Sequence, residues 1–322
     1  MTDIGGPARP WRIVFFGSGE FSVPALKALA DGPDTLVLAV TPPPARSGRG
    51  LKLSDSPPAA LAKELGLPIL EAKSLKQEET IAAIRAAQPD LLVVAAYGGF
   101  LPAALLHLCP FPPLNVHPSL LPRHRGPAPV SWSIVQGDKQ VGVSIIFLEK
   151  EMDAGPILRQ RAWDYQEPAS AGEWEARLAV EGAADLLLAI NELKIGLAAP
   201  VPQVSALATV NPLLRKADGL VDFQRPAAEL AALINGLDPW PGSRTTLESK
   251  FLKLYRAVAL PHENTADHVP GDVLGVDSDR GLLVVTGQGL LAISEFQPEG
   301  KKRMAFADFW RGYRPKHLGA DS

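Results

Sequence analysis

The chain has 322 residues, 46% of them hydrophobic, and its 32 Lys+Arg against 35 Asp+Glu leave a formal charge of −3. This length favours two domains, each able to bury its own core, and the balanced charge excludes a uniformly basic nucleic-acid binder while leaving local basic patches open. A single cysteine, Cys109, excludes a disulfide framework and any multi-thiolate metal site; with no long apolar run and no leader-like N-terminus, a cytoplasmic protein that does not engage membranes is expected.

Taken in chain order, residues 1–10 read as a disordered Gly/Pro tail, after which Ile13-Val14-Phe15-Phe16 is a buried strand ending at Gly17. Helical spacing over 23–29, 58–65 and 77–87 alternates with apolar strands at 36–40, 69–70, 91–95, 114–117 and 142–147. This rhythm predicts an α/β, Rossmann-like domain over 11–196 with a mainly parallel sheet covered by helices, closed by a long Ala/Leu-rich helix over 173–193. Residues 197–210 carry no charge and no helical face and read as a linker. From 211 to 322 a helix at 225–237 is followed by short β-like runs at 251–255, 271–274, 282–285 and 290–293, which predict a small OB-like β-barrel.

The turn Gly17-Ser18-Gly19-Glu20-Phe21-Ser22 occupies the place of a dinucleotide fingerprint but lacks its third glycine, and the end of the next strand has no acid for a ribose. It reads as a tight β-to-α turn, with an anion site at the helix start as the alternative. Asn115-Val116-His117 ends an apolar strand, and a period of two puts both polar side chains on one face. The Pro-stiffened loop that follows lies where open α/β sheets bind ligands. Asp153, in the turn before Ala154-Gly155-Pro156, is within reach of His117 along the chain. Each residue alone also has a structural reading, as a satisfied strand-end hydrogen bonder or a turn former. Together an amide donor, an imidazole and a carboxylate suit acyl transfer to an amine, in which an oxyanion develops and the amine loses a proton. The six histidines show no metal-ligand spacing, so no metal is expected.

The segments Asn115 to Pro122 and Met152-Asp153-Ala154-Gly155 resemble the signature of the folate-dependent formyltransferases. Within that family, Phe16 to Phe21, Gly48 to Leu53, Ala96-Tyr97-Gly98, Arg125 to Pro129 and Asp238-Pro239-Trp240-Pro241 resemble the branch acting on methionyl-tRNA, over about residues 11–305. The resemblance implies formyl transfer from 10-formyltetrahydrofolate, a co-substrate, to the methionine amine of initiator tRNA. It implies that Asn115 and His117 polarise the formyl oxygen, that Asp153 orients His117, and that Ser119, Leu120, Leu121, Pro122, Tyr97 and Gly98 line the folate pocket. Separately, a cis Leu121–Pro122 peptide is expected, to aim that loop into the pocket. The insert 41–57, with Arg46, Arg49 and Lys52, would be a basic loop for the acceptor arm, and a second basic island begins at Lys301-Lys302-Arg303. A monomer is expected. The competing reading is a formyltransferase for a sugar-nucleotide amine, which would share the first domain and the trio.

Overall fold

The four apolar residues Ile13 to Phe16 are all buried because both faces of their strand are covered, which is what a continuous apolar run in a parallel sheet demands. The computed structural model describes residues 9–47, 52–261 and 267–319, so most of the expected tail lies outside the described residues. Arg9, within that tail, is held by Asp90, the two groups approaching to 2.6 Å.

The elements of the first part are β1 (Arg12–Gly17), α1 (Val23–Asp31), β2 (Thr35–Thr41), β3 (Ala45–Ser47), β4 (Lys52–Ser54), α2 (Pro57–Glu64), β5 (Ile69–Glu71), α3 (Glu78–Ala86), β6 (Leu91–Ala95), α4 (Ala103–Leu106), β7 (Leu114–His117), α5 (Pro129–Val135), β8 (Gln140–Phe147), β9 (Ile157–Asp164) and α6 (Ala171–Lys194). Seven strands form one sheet in the order β5-β2-β1-β6-β7-β8-β9. Its pairings from β5 to β7 are parallel, and β8 runs antiparallel to β7. Val14, Phe16, Leu92 and Val94 share one core with Ile81 and Ile84 of α3. Burying each such side chain contributes roughly 1.5–3 kcal/mol. Over the face that carries Val116 lies α6, so close that a Cβ on Gly182 would stand 2.7 Å from the Val116 side chain and 2.9 Å from that of Val143.

The insert expected to be poor in strands contains a two-stranded antiparallel ribbon, in which Ala45 pairs with Ser54, Arg46 with Leu53 and Ser47 with Lys52. Each strand of this ribbon is three residues long.

The C-terminal elements are α7 (Ala227–Gly236), β10 (Ser243–Leu247), β11 (Lys250–Leu260), β12 (Val273–Asp277), β13 (Gly281–Val285), β14 (Leu290–Pro298), β15 (Met304–Ala305) and α8 (Phe306–Tyr313). Strands β10-β11-β14-β13-β12 form an antiparallel sheet, with β15 paired to β14. The small β domain expected from the sequence is thus present. Leu230, Ile234, Leu254, Leu291, Phe296 and Phe309 lie in its core, where the Phe296 and Phe309 rings stack at 4.3 Å. The chain divides into two compact units that are not contiguous in sequence: residues 1–126, 142–162 and 175–210 form one, and 127–141, 163–174 and 211–322 the other. Among the described residues no helix is long and apolar enough to cross a membrane.

Candidate active site

Three loops meet at the carboxyl ends of adjacent parallel strands. Gly17 of β1 pairs with Ala95 of β6, and Ala95 with Val116 of β7, so the residues after each strand emerge side by side. The Ser18 hydroxyl donates to the carbonyl of Ala96, which ties the first loop to the second. In the first, Gly17 has a steric reason: a Cβ there would come within 2.7 Å of the Phe15 ring and of the Ser22 hydroxyl. Ser22, fully buried where a dinucleotide fingerprint has glycine, donates to the Gly19 carbonyl at 2.6 Å. The glycine-rich turn is therefore closed by its own serine.

Val116 faces α6, so Asn115 and His117 project from the opposite face of β7. Asp153 bridges them there: its Oδ1 lies 3.4 Å from Asn115 Nδ2 and 3.7 Å from His117 Nδ1. The structure therefore brings together the three residues the sequence singled out. His117 is 4% exposed, and its Nε2 lies 3.0 Å from the carbonyl oxygen of His124. A carbonyl only accepts, so Nε2 carries a proton and the neutral ring has its lone pair on Nδ1, toward Asp153. The other oxygen of Asp153 accepts the Gly126 N–H at 2.9 Å. Asp153 adopts φ 52°, the left-handed region, which costs a non-glycine residue about 1–2 kcal/mol and is kept only where neighbours hold it. Gly155, two residues on, has no room for a side chain, since a Cβ would overlap the Phe147 carbonyl oxygen.

The loop after His117 is fixed from beneath. Ser119 Oγ donates to the Arg123 carbonyl at 2.9 Å, and the Ser119 carbonyl accepts from Ser144 Oγ at 2.7 Å. Gln160 Nε2 donates to the Leu121 carbonyl and to Ser144 Oγ, both at 2.9 Å. The Leu121–Pro122 peptide is cis. Ser119 and Leu121 are buried, so they set the shape of the loop, while Leu120 packs against β8 where Gly142 leaves it space. Tyr97 sits edge-on to Phe16 at 5.8 Å, and its half-burial raises the phenol above its ordinary value. Gly98 is exposed, with open space where a Cβ would stand.

The basic candidates fall into two kinds. Arg46 on β3, and Lys301 and Lys302 in the turn before β15, are exposed and have no carboxylate partner among the described residues. Arg49 lies outside the described residues, as does the side chain of Lys52. Arg303 is engaged within its own unit: Nη1 is 2.9 Å from Asp238 Oδ2, Nε contacts Glu295, and the guanidinium stacks 3.9 Å from the Tyr255 ring.

The chain matches the Formyl transferase family over residues 11–190 and the Formyl transferase, C-terminal domain family over 213–314. This chain belongs to the formyltransferase family. It is 42% identical to the methionyl-tRNA formyltransferase of Desulfotalea psychrophila over 321 residues, covering 100% of this chain and 98% of that one. It is 39% identical to that of Roseiflexus castenholzii over 304 residues, 94% and 96% of the two chains. The fold of this formyltransferase also matches WlaRD, a sugar 3N-formyl transferase, with a TM-score of 0.65 at 12% identity over 92% of this chain and 100% of that one. HypX from Aquifex aeolicus matches with a TM-score of 0.63 at 19% identity, over 94% of this chain but 48% of HypX, so the formyltransferase spans about half of that protein.

Proposed function

We propose that this formyltransferase moves the formyl group of 10-formyltetrahydrofolate to the methionine amine of initiator methionyl-tRNA, giving N-formylmethionyl-tRNA. The observation that carries the reaction class is the Asn115–His117–Asp153 constellation at a strand end, with no serine or cysteine nucleophile needed. The amine nitrogen attacks the formyl carbon and the formyl oxygen takes the negative charge. Asn115 has a second amide hydrogen for that oxygen. His117, once it takes a proton on Nδ1, is an imidazolium whose positive charge is stabilised by the Asp153 carboxylate. The proton released by the attacking amine is passed through His117 to the departing folate nitrogen, which leaves as tetrahydrofolate. The loop 119–122 with Tyr97 and Gly98 forms the wall for the folate. Solved structures of this fold include HypX with tetrahydrofolic acid and WlaRD in the presence of 5-N-formyl-THF, which supports a folate.

The acceptor is read as tRNA because the near-full-length relatives with 35–42% identity carry that name, whereas the sugar formyltransferases share the fold at far lower identity. Incubating the protein with 10-formyltetrahydrofolate and either methionyl-tRNA or an amino-sugar nucleotide tests the choice; formylation of the sugar alone would overturn it. On this reading the enzyme is a cytoplasmic monomer, for which light scattering should return about the chain mass of 34.3 kDa.

Arg46, Arg49, Lys52, Lys301 and Lys302 are assigned to phosphate contacts, which position the RNA without reading its sequence. Arg46→Ala and the pair Lys301→Ala with Lys302→Ala are each expected to raise KM for methionyl-tRNA with kcat nearly unchanged. The slope of log KM against log salt should fall by about one for each phosphate deprived of its cation. A KM and slope equal to those of the wild type would remove that island from the interface.

A further inference from the structure

Between Val201 and Leu207 the usual sorting of side chains is inverted. Val201, Val204 and Leu207 are 62%, 58% and 63% exposed, while the polar Gln203 is turned inward. Its amide explains the inversion. Nε2 donates to the Asp153 carbonyl at 2.7 Å and to the Gly155 carbonyl at 2.8 Å. Oε1 accepts from Arg125 Nε at 3.1 Å and Nη2 at 2.9 Å. Both donors and both acceptor sites of the amide are thus used, two of them in charge-assisted bonds. Arg125 is itself 4% exposed and paired to Glu151 at 3.0 Å, and the next residue, Gly126, gives its N–H to the Asp153 carboxylate.

We propose that Gln203 is a positioning residue for formyl transfer, acting through Asp153, an inference that rests on the catalytic role assigned to that aspartate. One side chain links the two loops that fix the carboxylate. It holds the carbonyls on either side of Ala154, and through Arg125 it holds the loop whose Gly126 N–H orients the carboxylate. Without it, Asp153 is free to leave its left-handed conformation and swing from Asn115 and His117. Only a side-chain amide offers two donors and two acceptor sites together, which is the pattern this position requires.

Gln203→Leu keeps the approximate volume and removes all four bonds. Its expected effect is a fall in kcat of about 10–100-fold, the scale of losing a group that orients a reacting one, with KM for both substrates within about threefold of the wild type. Gln203→Glu keeps the acceptors for Arg125 but sets a carboxylate against two carbonyl oxygens. A merely structural clamp on Arg125 would leave Gln203→Glu active, whereas the positioning role predicts that its kcat falls at least as far as that of Gln203→Leu. Should the leucine variant not yield folded protein, the glutamate variant carries the same test, with thermal melting of both followed alongside. The decisive comparison adds Gln203→Leu to an Asp153→Asn background, where it is expected to cost less than about twofold because the group it positions has gone. A full, multiplicative loss there, or wild-type kcat in folded Gln203→Leu, overturns the inference. If Asp153→Asn alone keeps full activity, it is the assignment of the trio that fails.

Discussion

Replacing His117 by alanine is expected to lower kcat for formyl transfer by about 10²–10⁴-fold, the usual worth of a positioned acid–base group, while KM for the folate stays within about threefold. The split follows from what the ring touches. Nε2 is committed to the His124 carbonyl, whereas Nδ1 lies 3.7 Å from Asp153 Oδ1, beyond hydrogen-bond distance, so Nδ1 is the nitrogen left to exchange a proton during transfer and the ring contributes little to the binding of either substrate at rest. Removing it leaves the ground state largely intact and the transition state without its proton carrier. Asn115→Ala should cost about 10²–10³-fold, as for a single preorganised donor to an oxyanion. The two losses should not multiply, since Asn115 and His117 share Asp153 Oδ1 and act on the same developing charge. An unchanged kcat for folded His117→Ala would remove the residue from the mechanism and with it the reading of the site. Single-turnover measurements at saturating folate and methionyl-tRNA separate this from any change in product release.

Much of this site is legible in the sequence because the physics that sets it is local. A strict period of two along Leu114 to His117 fixes which side chains share a face, and an apolar run ending in polar residues marks where the strand leaves the core. The parallel core is legible for a similar reason: runs such as Leu91 to Ala95 are apolar throughout because both faces are covered. Strand β9 is not. Its Ile157 to Asp164 carries Arg159 and Arg161, which look like loop residues until their partners are seen, Asp185 at 3.5 and 2.9 Å and Glu181 at 2.6 Å, all on α6. An edge strand is under no pressure to be apolar on its outer side, so hydropathy alone gives no strand there.

Gln203 is hidden by a different cause. Its partners are 50 and 78 residues away in sequence, and its segment reads as linker because it carries no charge and no helical face. The one available signal is a lone amide in a stretch without charges. Such a residue is soluble anywhere on the surface, so its inward turn is dictated by backbone carbonyls that sequence patterns do not locate. The same limit applies to Asp153, where chain order allows proximity to His117 but only the left-handed backbone and the Gly126 bond fix it.

Arg303→Ala is expected to destabilise the C-terminal unit by about 2–3 kcal/mol, somewhat below the roughly 3–5 kcal/mol typical of breaking a fully buried ion pair, because Arg303 itself is 35% exposed. Asp238, at 8% exposure, would be left without its cation, and that uncompensated carboxylate supplies most of the cost. The guanidinium also covers the Tyr255 ring and joins Glu295, which in turn binds Arg256 at 3.2 Å; Arg256 reaches Glu173 at the start of α6. Arg303 is thus the last cation in a chain of alternating charges that ends on the Asp-Pro-Trp-Pro turn, where Trp240 is 54% exposed. In sequence it is indistinguishable from Lys301 and Lys302, and composition alone makes all three RNA contacts. The structure separates them by partner, so they should separate by experiment. Five of the six tryptophans belong to this unit, which makes fluorescence melting a direct readout: Arg303→Ala should lower Tm by about 5–10 °C. Arg303→Lys should recover part of the loss, keeping the charge but not the forked donors or the stacking. Lys301→Ala and Lys302→Ala should leave Tm unchanged and alter only KM for the tRNA. If Arg303→Ala instead melts as the wild type and weakens tRNA binding as the lysine variants do, the residue is a phosphate contact and the network around Asp238 does not hold the turn.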